Sequence, residues 1–285
     1  MDNKLSIGNY QSCSTSGIRA LDLQLIAQIQ KIAPGLLSRF DYLPVSIGAG
    51  CHPYLQTCAV KALDKAIAAS RGRAMKINSA YRTVAQQAVL HRHYQYRRCG
   101  IRAAALPGRS NHETGLAIDI EDAAGWRPYL ERFGWDWIGS FEPMHFDFEG
   151  AGRREMSYLS ILAFQQLYNC NNPKSKIAED GVWGVKTNLA LMQTLVTGFS
   201  SDNVIEKPIT TYLQKGYKTP SLRWKDKGDR VVALQKALNH QGIKIEVDGD
   251  FGNKTLEAVK TFQKQQGLVD DGVVGMATRR ALGLS

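Results

Sequence analysis

Two runs of sequence decide the fold of this chain: Arg109-Ser110-Asn111-His112-Glu113-Thr114-Gly115-Leu116-Ala117-Ile118-Asp119-Ile120 and Glu142-Pro143-Met144-His145-Phe146-Asp147-Phe148. In both runs, large apolar residues alternate with small or polar ones, which is the period-2 pattern of a strand with one buried face. The pattern predicts two paired strands. Asp119 and His145 then lie on the polar faces of the two strands and meet over a common point.

The spacing of the polar residues in these runs predicts a zinc centre. His112 precedes the first strand in a loop, where Gly115 permits a tight backbone. Zinc in hydrolytic sites takes three protein ligands from His, Asp or Glu and leaves a fourth position for water. We therefore expect His112, Asp119 and His145 to be the zinc ligands. Glu142, three residues before His145, is expected to be the base beside them.

These motifs resemble the zinc D-alanyl-D-alanine peptidases of the VanY and VanX type, a group that includes certain phage endolysins. The elements that carry the resemblance are Ser110-x-His112-x6-Asp119 and Glu142-Pro-Met-His145, and the likeness covers roughly residues 45 to 150. In that family, the three residues matching His112, Asp119 and His145 bind zinc, and the acid matching Glu142 is the general base and acid. Met144 stands where many members have Trp, beside a ligand position.

The resemblance also implies residues for substrate binding. Ser79-Ala80-Tyr81-Arg82 matches an upstream family element that supplies an arginine for the substrate carbonyl or carboxylate, so Arg82 takes that role. Tyr81, Arg109 and Ser110 are further expected substrate contacts, and Arg109 is an alternative partner for a free C-terminal carboxylate.

Length and charge restrict the class of protein. The chain has 285 residues and a net charge of +10, from 36 Lys and Arg against 26 Asp and Glu. This length suits about two domains, and the basic balance suggests a polyanionic partner such as an anionic cell wall, an acidic membrane surface or nucleic acid. The sequence has no Lys/Arg-rich run or basic helix studded with aromatic residues, which disfavours nucleic acid.

We expect a monomer that works outside the cytoplasm, in the periplasm, in the cell wall or as a secreted protein. No stretch approaches 18 consecutive apolar residues, so no membrane span is predicted. Residues 1–8 lack the apolar core of a secretory signal. A trimmed signal and release through a holin, as for phage endolysins, both remain open.

Five cysteines cannot all pair within one chain, and none forms a C-x-x-C metal motif. Cys51, Cys58 and Cys99 flank the catalytic region and could provide one disulfide in an oxidising compartment. Reduced, partly buried thiols are the alternative interpretation.

Apolar periodicity around the motifs predicts an α+β catalytic domain, with a small antiparallel sheet flanked by helices. Helices are predicted within residues 17–40, ending before Pro34-Gly35, over residues 55–70, and from Val84 to Arg97. A short strand at residues 76–81 leads to Arg82. The aromatic cluster of residues 126–137 is expected to lie mostly in the core.

After residue 152 a repeat appears, of the form Asp-Gly-x-(apolar)-Gly-x-x-Thr. Its copies begin at Asp180, Asp248 and Asp271, and each is a glycine-dependent turn running into a helix that holds the Thr in its first turn. Residues 222–284 resemble the type 1 peptidoglycan-binding domain, a three-helix module. The expected domains are 1–152 (zinc peptidase), 153–198 (a partial or divergent binding repeat), 199–221 (a linker) and 222–285 (an all-α peptidoglycan-binding domain).

These features together predict a zinc metallopeptidase that acts on peptidoglycan and hydrolyses D-Ala-D-Ala of stem peptides as a carboxypeptidase. Two alternatives stay open. The enzyme could be a lytic endopeptidase, like an endolysin, that cuts inside the stem or the cross-link. The chain could instead be a non-catalytic wall-binding protein on a peptidase scaffold, a reading that the intact Glu142 and ligand set disfavour.

Overall fold

The structure, a computed structural model, describes residues 5–140, 142–200, 222–268 and 270–284. It divides into two compact units, Met1–Pro208 and Ile209–Ser285. The linker predicted at residues 199–221 lies almost entirely outside the described residues. Within those ranges, no helix combines the length and the apolar character that crossing a membrane requires.

The first unit is built on a five-stranded sheet with the strand order β2-β4-β5-β7-β6 and a separate antiparallel pair, β1 with β3. Its strands are β1 (Leu37–Arg39), β2 (Val45–Ile47), β3 (Tyr54–Gln56), β4 (Met75–Ser79), β5 (Ala117–Ile120), β6 (Trp135–Trp137) and β7 (His145–Phe148). The predicted antiparallel sheet is thus confirmed except at one edge, where β2 runs parallel to β4. The outcome is a mixed sheet.

Within the described residues of this unit, six α-helices accompany these strands. They are α1 (Arg19–Ile32), α2 (Thr57–Ala69), α3 (Val84–Gln95), α4 (Ala123–Leu130), α5 (Ser157–Asn171) and α6 (Val185–Gln193). Short 3-10 helices lie at Ile7–Asn9, Thr15–Ile18, Asn111–Thr114 and Glu131–Phe133. The first three predicted helices are present, and the first ends at Ile32, before Pro34 as expected.

The core of this unit lies between the sheet and helices α2 and α4. Leu63 and Ala66 of α2 and Ile118 of β5 are fully buried there. Two of the predicted core aromatics, Trp126 and Trp135, are also fully buried, while Tyr129, Phe133 and Trp137 pack partly buried against the same cluster. Burial of this face fixes which side of β5 and β7 is left for polar residues.

A buried carboxylate, that of Asp22, links helix α1 to the start of α3 through a hydrogen bond. Asp22 accepts a hydrogen bond from the Thr83 hydroxyl, and its Oδ2 lies 3.0 Å from His52 Nε2. Thr83 is also the N-cap of α3, where its hydroxyl accepts the backbone N–H of Gln86. Because Thr83 directly follows Arg82, this buried contact also fixes the backbone position of Arg82.

Cys13 and Cys99 form a disulfide across 86 residues of sequence. Cys99 is therefore paired outside the set considered from sequence, since Cys51 and Cys58 take part in no disulfide. Cys51 is buried, and burial raises the pKa of its thiol to about 12. The disulfide ties the segment before α1 to the loop after α3.

Replacing both Cys13 and Cys99 by Ser should lower the Tm of the first unit by roughly 10 °C, because a long closed loop restricts the unfolded chain by about 4 kcal/mol. Differential scanning calorimetry measures this shift. The control is Cys170→Ser, which alters a surface position of α5. Equal Tm values for the double variant and the wild type would contradict a stabilising disulfide.

The residues after 152 begin with a copy of the repeat that belongs to the same compact unit as the sheet. Helix α5 packs against α1, and α6 packs against the segment Ile7–Asn9. A buried glutamine of α5, Gln165, holds the turn that follows. Its amide nitrogen lies 2.9 Å from Asp180 Oδ1 and 3.2 Å from Thr187 Oγ1, and its oxygen accepts the backbone N–H of Gly181.

The same contact between a buried glutamine and an Asp-Gly turn occurs twice in the second unit. The helices in its described residues are α7 (Asp229–His240), α8 (Asn253–Gln265) and α9 (Met276–Leu282). Gln235 of α7 donates to Asp248 and lies 3.1 Å from Thr255 Oγ1, and Gln263 of α8 contacts Asp271 in the same way. The repeat is therefore one physical unit: a helix whose buried glutamine fastens the Asp-Gly turn to the next helix.

A Gln235→Glu substitution should destabilise the second unit by roughly 3 kcal/mol, because it removes the donor and buries a carboxylate beside Asp248. Urea unfolding followed by circular dichroism would detect this as an earlier transition. The matched control is Gln241→Glu at the exposed end of α7. Identical transitions for the two variants would show that the buried amide does not hold the turn.

Candidate metal centre

Strands β5 and β7 bring Asp119 and His145 together. The two strands are antiparallel, and Asp119 is the register partner of His145. His112 comes from the one-turn 3-10 helix that precedes β5. Ligand atoms of His112, Asp119 and His145 all lie within 4.8 Å of one another, so that these three residues could hold a metal ion.

The Asp119 carboxylate lies between the two imidazoles. Its Oδ2 is 3.2 Å from His112 Nε2, and its Oδ1 is 2.9 Å from His145 Nδ1. Ligands about 2.1 Å from a tetrahedral zinc are separated from one another by about 3.4 Å. The 3.2 Å separation is close to that value, all three ligand atoms lie within 4.8 Å of one another, and two imidazoles with one carboxylate are a donor set that zinc takes, so the residues fit the ion.

The far nitrogen of each histidine is held by a hydrogen-bond partner. His112 Nδ1 lies 2.8 Å from the carbonyl oxygen of Ala80, and His145 Nε2 lies 3.0 Å from Asp147 Oδ1. With a metal bound, these acceptors would hold the ring proton on the far nitrogen and free Nε2 of His112 and Nδ1 of His145, which both face Asp119, to act as ligands. Such outer partners fix the tautomer and orientation of metal-binding histidines.

Asp147 is a site residue that the sequence analysis missed. It lies on the same face of β7 as His145, and its other oxygen accepts a hydrogen bond of 2.8 Å from the side-chain amide of Asn111. The period-2 alternation that selected His145 also puts Asp147 on this face, so a signal for Asp147 was present. Asn111 had no such signal, because its contact joins positions 36 residues apart.

Electrostatics give the two histidines different protonation. Burial and the nearby Arg82 charge lower the pKa of His112. Burial alone would lower the pKa of His145, but hydrogen bonds to Asp119 and Asp147 raise it to about 10. For Asp119, burial is outweighed by the charges and hydrogen bonds of both histidines, which hold its pKa below the ordinary value. Metal binding would therefore displace a proton from His145.

Arg82 lies beside the Asp119 carboxylate. One guanidinium nitrogen is 3.8 Å from Asp119 Oδ2 and donates to Ser79 Oγ at 3.0 Å. The other donates to Gln87 Oε1 at 2.9 Å and lies 3.4 Å from Ser110 Oγ. These neutral oxygens orient the guanidinium, and Asp119 is its ion-pair partner.

Ser110 and Glu113 build the tight turn that carries His112. The Ser110 hydroxyl and the Glu113 carboxylate form a capping box, and Glu113 also accepts the backbone N–H of Gly108 at 2.8 Å. Burial raises the pKa of Glu113 to about 8, although these backbone hydrogen bonds oppose it. Gly115 ends the turn with φ 66°, a conformation that favours glycine.

The other predicted residues take different positions. Glu142 is partly exposed, and its Oε2 lies 3.7 Å from His145 Nδ1, at the edge of the ligand group. Arg109 lies directly before Ser110 and is half-buried. Tyr81 is only 1% exposed. The structure thus encloses the Tyr81 side chain in the interior, where substrate has no access, and this residue is a correction to the expected substrate contacts.

Asp147→Asn should weaken zinc binding by roughly 10- to 100-fold, because the acceptor that orients His145 loses its charge. Titration of the metal-free chain with zinc against a competing chelator measures the affinity. The control is Asp64→Asn on the exposed side of α2, which should bind zinc as the wild type does. Unchanged affinity in both variants would exclude Asp147 from the centre.

The fold and site define a class: an α+β unit with a three-residue group that could hold a metal ion, followed by helical repeats. Residues 52–133 match the family described as D-alanyl-D-alanine carboxypeptidase, and residues 227–282 match the family described as putative peptidoglycan binding domain. Two separate segments of the chain thus match the peptidase family that the sequence motifs resemble and a C-terminal binding domain. The first match contains His112 and Asp119. Glu142 and His145 lie beyond it, and the structure brings them to the same place.

Individual relatives match only parts of the chain. An N-acetylmuramoyl-L-alanine amidase of Bacillus licheniformis is 38% identical over 86 residues, which are 29% of this chain and 21% of the relative. An uncharacterized protein of Kitasatospora aureofaciens is 48% identical over 69 residues, 22% of this chain and 57% of the relative. The chain thus spans about a fifth of the length of the amidase and somewhat over half of the length of the uncharacterized protein.

A solved structure also matches in part. It is the crystal structure of a peptidoglycan-binding protein from Clostridioides difficile in complex with glutamine hydroxamate. The identity is 40%, the match covers 24% of this chain and 46% of the other, and the TM-score is 0.23.

Proposed function

We propose that this protein is a zinc-dependent peptidoglycan hydrolase that cleaves the D-Ala-D-Ala bond of stem peptides as a carboxypeptidase. The observation that carries the proposal is the convergence of His112, Asp119 and His145 within 4.8 Å, with Glu142 and Arg82 beside them. The two family matches support peptidoglycan as the substrate and as the ligand of the C-terminal module.

The ligand residues of the proposed centre are His112, Asp119 and His145, and zinc bound there would lower the pKa of a water molecule to about 7 and polarise the scissile carbonyl. Glu142 accepts the proton of the attacking water and then delivers it to the leaving amine. Its partial exposure next to His145 leaves its carboxylate accessible to both groups.

Arg82 supplies positive charge to the substrate. Its guanidinium is oriented by neutral oxygens, lies 3.8 Å from the Asp119 carboxylate and is 17% exposed, so solvent screens its charge only in part. It stabilises negative charge that develops on the carbonyl oxygen, or it binds the free C-terminal carboxylate that a carboxypeptidase must recognise. Arg109 and Ser110, on the loop that enters the motif, are the proposed further contacts.

The proposed location is extracytoplasmic, with the protein acting as a monomer on the cell wall. The Cys13–Cys99 disulfide is the kind of bond that persists in an oxidising compartment. The net charge of +10 favours association with an anionic wall. In this arrangement the helical module at 222–285 binds peptidoglycan, residues 1–152 supply the zinc peptidase, and the 153–198 repeat joins the peptidase part.

Glu142→Gln should retain zinc and lose activity by roughly 100-fold or more, because the amide cannot accept the proton of the attacking water. Mass spectrometry of purified muropeptides after incubation with the zinc-loaded chain measures the product, and metal analysis measures the zinc. Glu149→Gln is the control, since Glu149 is an exposed acid paired with Arg153. Full activity in Glu142→Gln would remove Glu142 from the mechanism.

The products distinguish the alternatives. Loss of one terminal D-Ala from pentapeptides is the expected result for a carboxypeptidase. Cleavage inside the stem or at cross-links would identify a lytic endopeptidase instead. A chain that binds zinc and wall material but releases no product would be a non-catalytic wall-binding protein.

A further inference from the structure

A crevice of about 250 Å³ lies between α3 and the first copy of the repeat. Both walls belong to the first compact unit. The residues lining it that matter for recognition are aromatic or polar: His91, Arg92, Gln95, Tyr96, Trp183 and Asn188. A crevice of this size and composition suits a small polar unit with an apolar face better than a folded partner.

Trp183 is less buried than the equivalent residues of the other repeat copies. It holds the apolar position before the second glycine of the turn, which is Phe251 in the second copy and Val274 in the third. Phe251 and Val274 are fully buried in the core of their module. Trp183 is only half-buried and lines the crevice instead. The first copy thus presents a large aromatic surface where the others only fill a core.

Polar groups with unused hydrogen-bonding capacity face the same crevice. Within the described part of the chain, the indole N–H of Trp183 and the side-chain amides of Gln95 and Asn188 have no hydrogen-bond partner. His91 Nδ1 lies 3.0 Å from the carbonyl oxygen of Ala104, which leaves its other ring nitrogen available. Donors and acceptors are therefore arranged around an aromatic surface.

The opposite wall adds a second aromatic ring and positive charge. Tyr96 is 60% exposed, and the guanidinium groups of Arg92 and Arg98 lie 5.6 and 5.4 Å from its ring centroid. These contacts hold the ring in place by cation–π attraction. The crevice therefore has aromatic side chains on both walls.

The crevice shares structural elements with the candidate metal centre. Gln87 of α3 accepts a hydrogen bond from Arg82 and donates one to the carbonyl oxygen of Ala105. The next two residues, Leu106 and Pro107, line the crevice, and the chain then continues to Ser110 and His112. One helix and one loop thus connect the crevice to the side chains around the proposed zinc ligands.

We propose that this crevice binds the N-acetylated amino-sugar backbone of the glycan strand to which the stem peptide is attached. The inference rests on the proposed function. A sugar ring has an apolar face that packs on Trp183 and Tyr96, and hydroxyl and acetamido groups that bond Asn188, Gln95 and His91. Binding the strand here delivers its attached peptide to the neighbouring centre, so glycan-linked peptide is a better substrate than free peptide.

The kinetic test compares two substrates with the same pentapeptide, one free and one attached to its disaccharide. Trp183→Ala should lower kcat/KM on the disaccharide-linked substrate by roughly tenfold and leave kcat/KM on the free peptide unchanged, because an aromatic contact accounts for about that factor. Trp183→Phe should restore most of the loss. Equal loss on both substrates would mean a merely structural role and would overturn the proposal.

A binding test separates this inference from the peptidase assignment. Peptide-free glycan fragments are titrated into the metal-free full-length chain by calorimetry, using wild type, Trp183→Ala and, as control, Leu189→Ala, which alters an exposed position of α6. The second unit is identical in all three, so its contribution cancels. Weaker binding in Trp183→Ala alone supports the crevice, even if no peptide is cleaved. Equal binding in all three would overturn it.

Discussion

The carboxylate of Asp119 between two imidazoles is the interaction around which the first unit is arranged. It requires that Asp119 and His145 be register partners on antiparallel strands. Because side chains alternate between the faces of a sheet, a slip of one residue would send one of the two into the core and break the group. The apolar residues on the other faces of β5 and β7, such as Ile118 and Phe146, are fully buried and exclude that slip. Core packing thus determines which side chains lie on the polar face of β5 and β7.

Further hydrogen bonds and packing contacts hold the group of His112, Asp119 and His145 in place. Ala80 and Asp147 orient the two imidazoles, and Asn111 in turn holds Asp147. The Asp22 carboxylate fastens α1 to the N-cap of α3, next to Arg82. The first repeat copy packs on α1 through α5. A helical repeat of the kind that builds the second unit is therefore part of the first unit, where it contributes a crevice wall.

The sequence predicted the parts of this architecture that follow from local periodicity. Alternation identified β5 and β7 and their polar faces, and the motif spacing identified the three residues that the structure brings together. Contacts between residues far apart in the sequence could not be predicted from local periodicity. The partner of Cys99 lies 86 residues away, and the parallel pairing of β2 with β4 depends on a long connection. Tyr81 was expected to contact substrate, yet its side chain is buried in the interior.

The most direct test of the metal assignment is X-ray absorption spectroscopy of the zinc-loaded chain, with metal analysis of His112→Ala and His145→Ala. A zinc centre of His112, Asp119 and His145 predicts one zinc per chain, bound by two imidazole nitrogens and by oxygen ligands at about 2.0–2.2 Å, and loss of the metal in both variants. Zinc held by sulfur at about 2.3 Å, or retained in full by either variant, would contradict it.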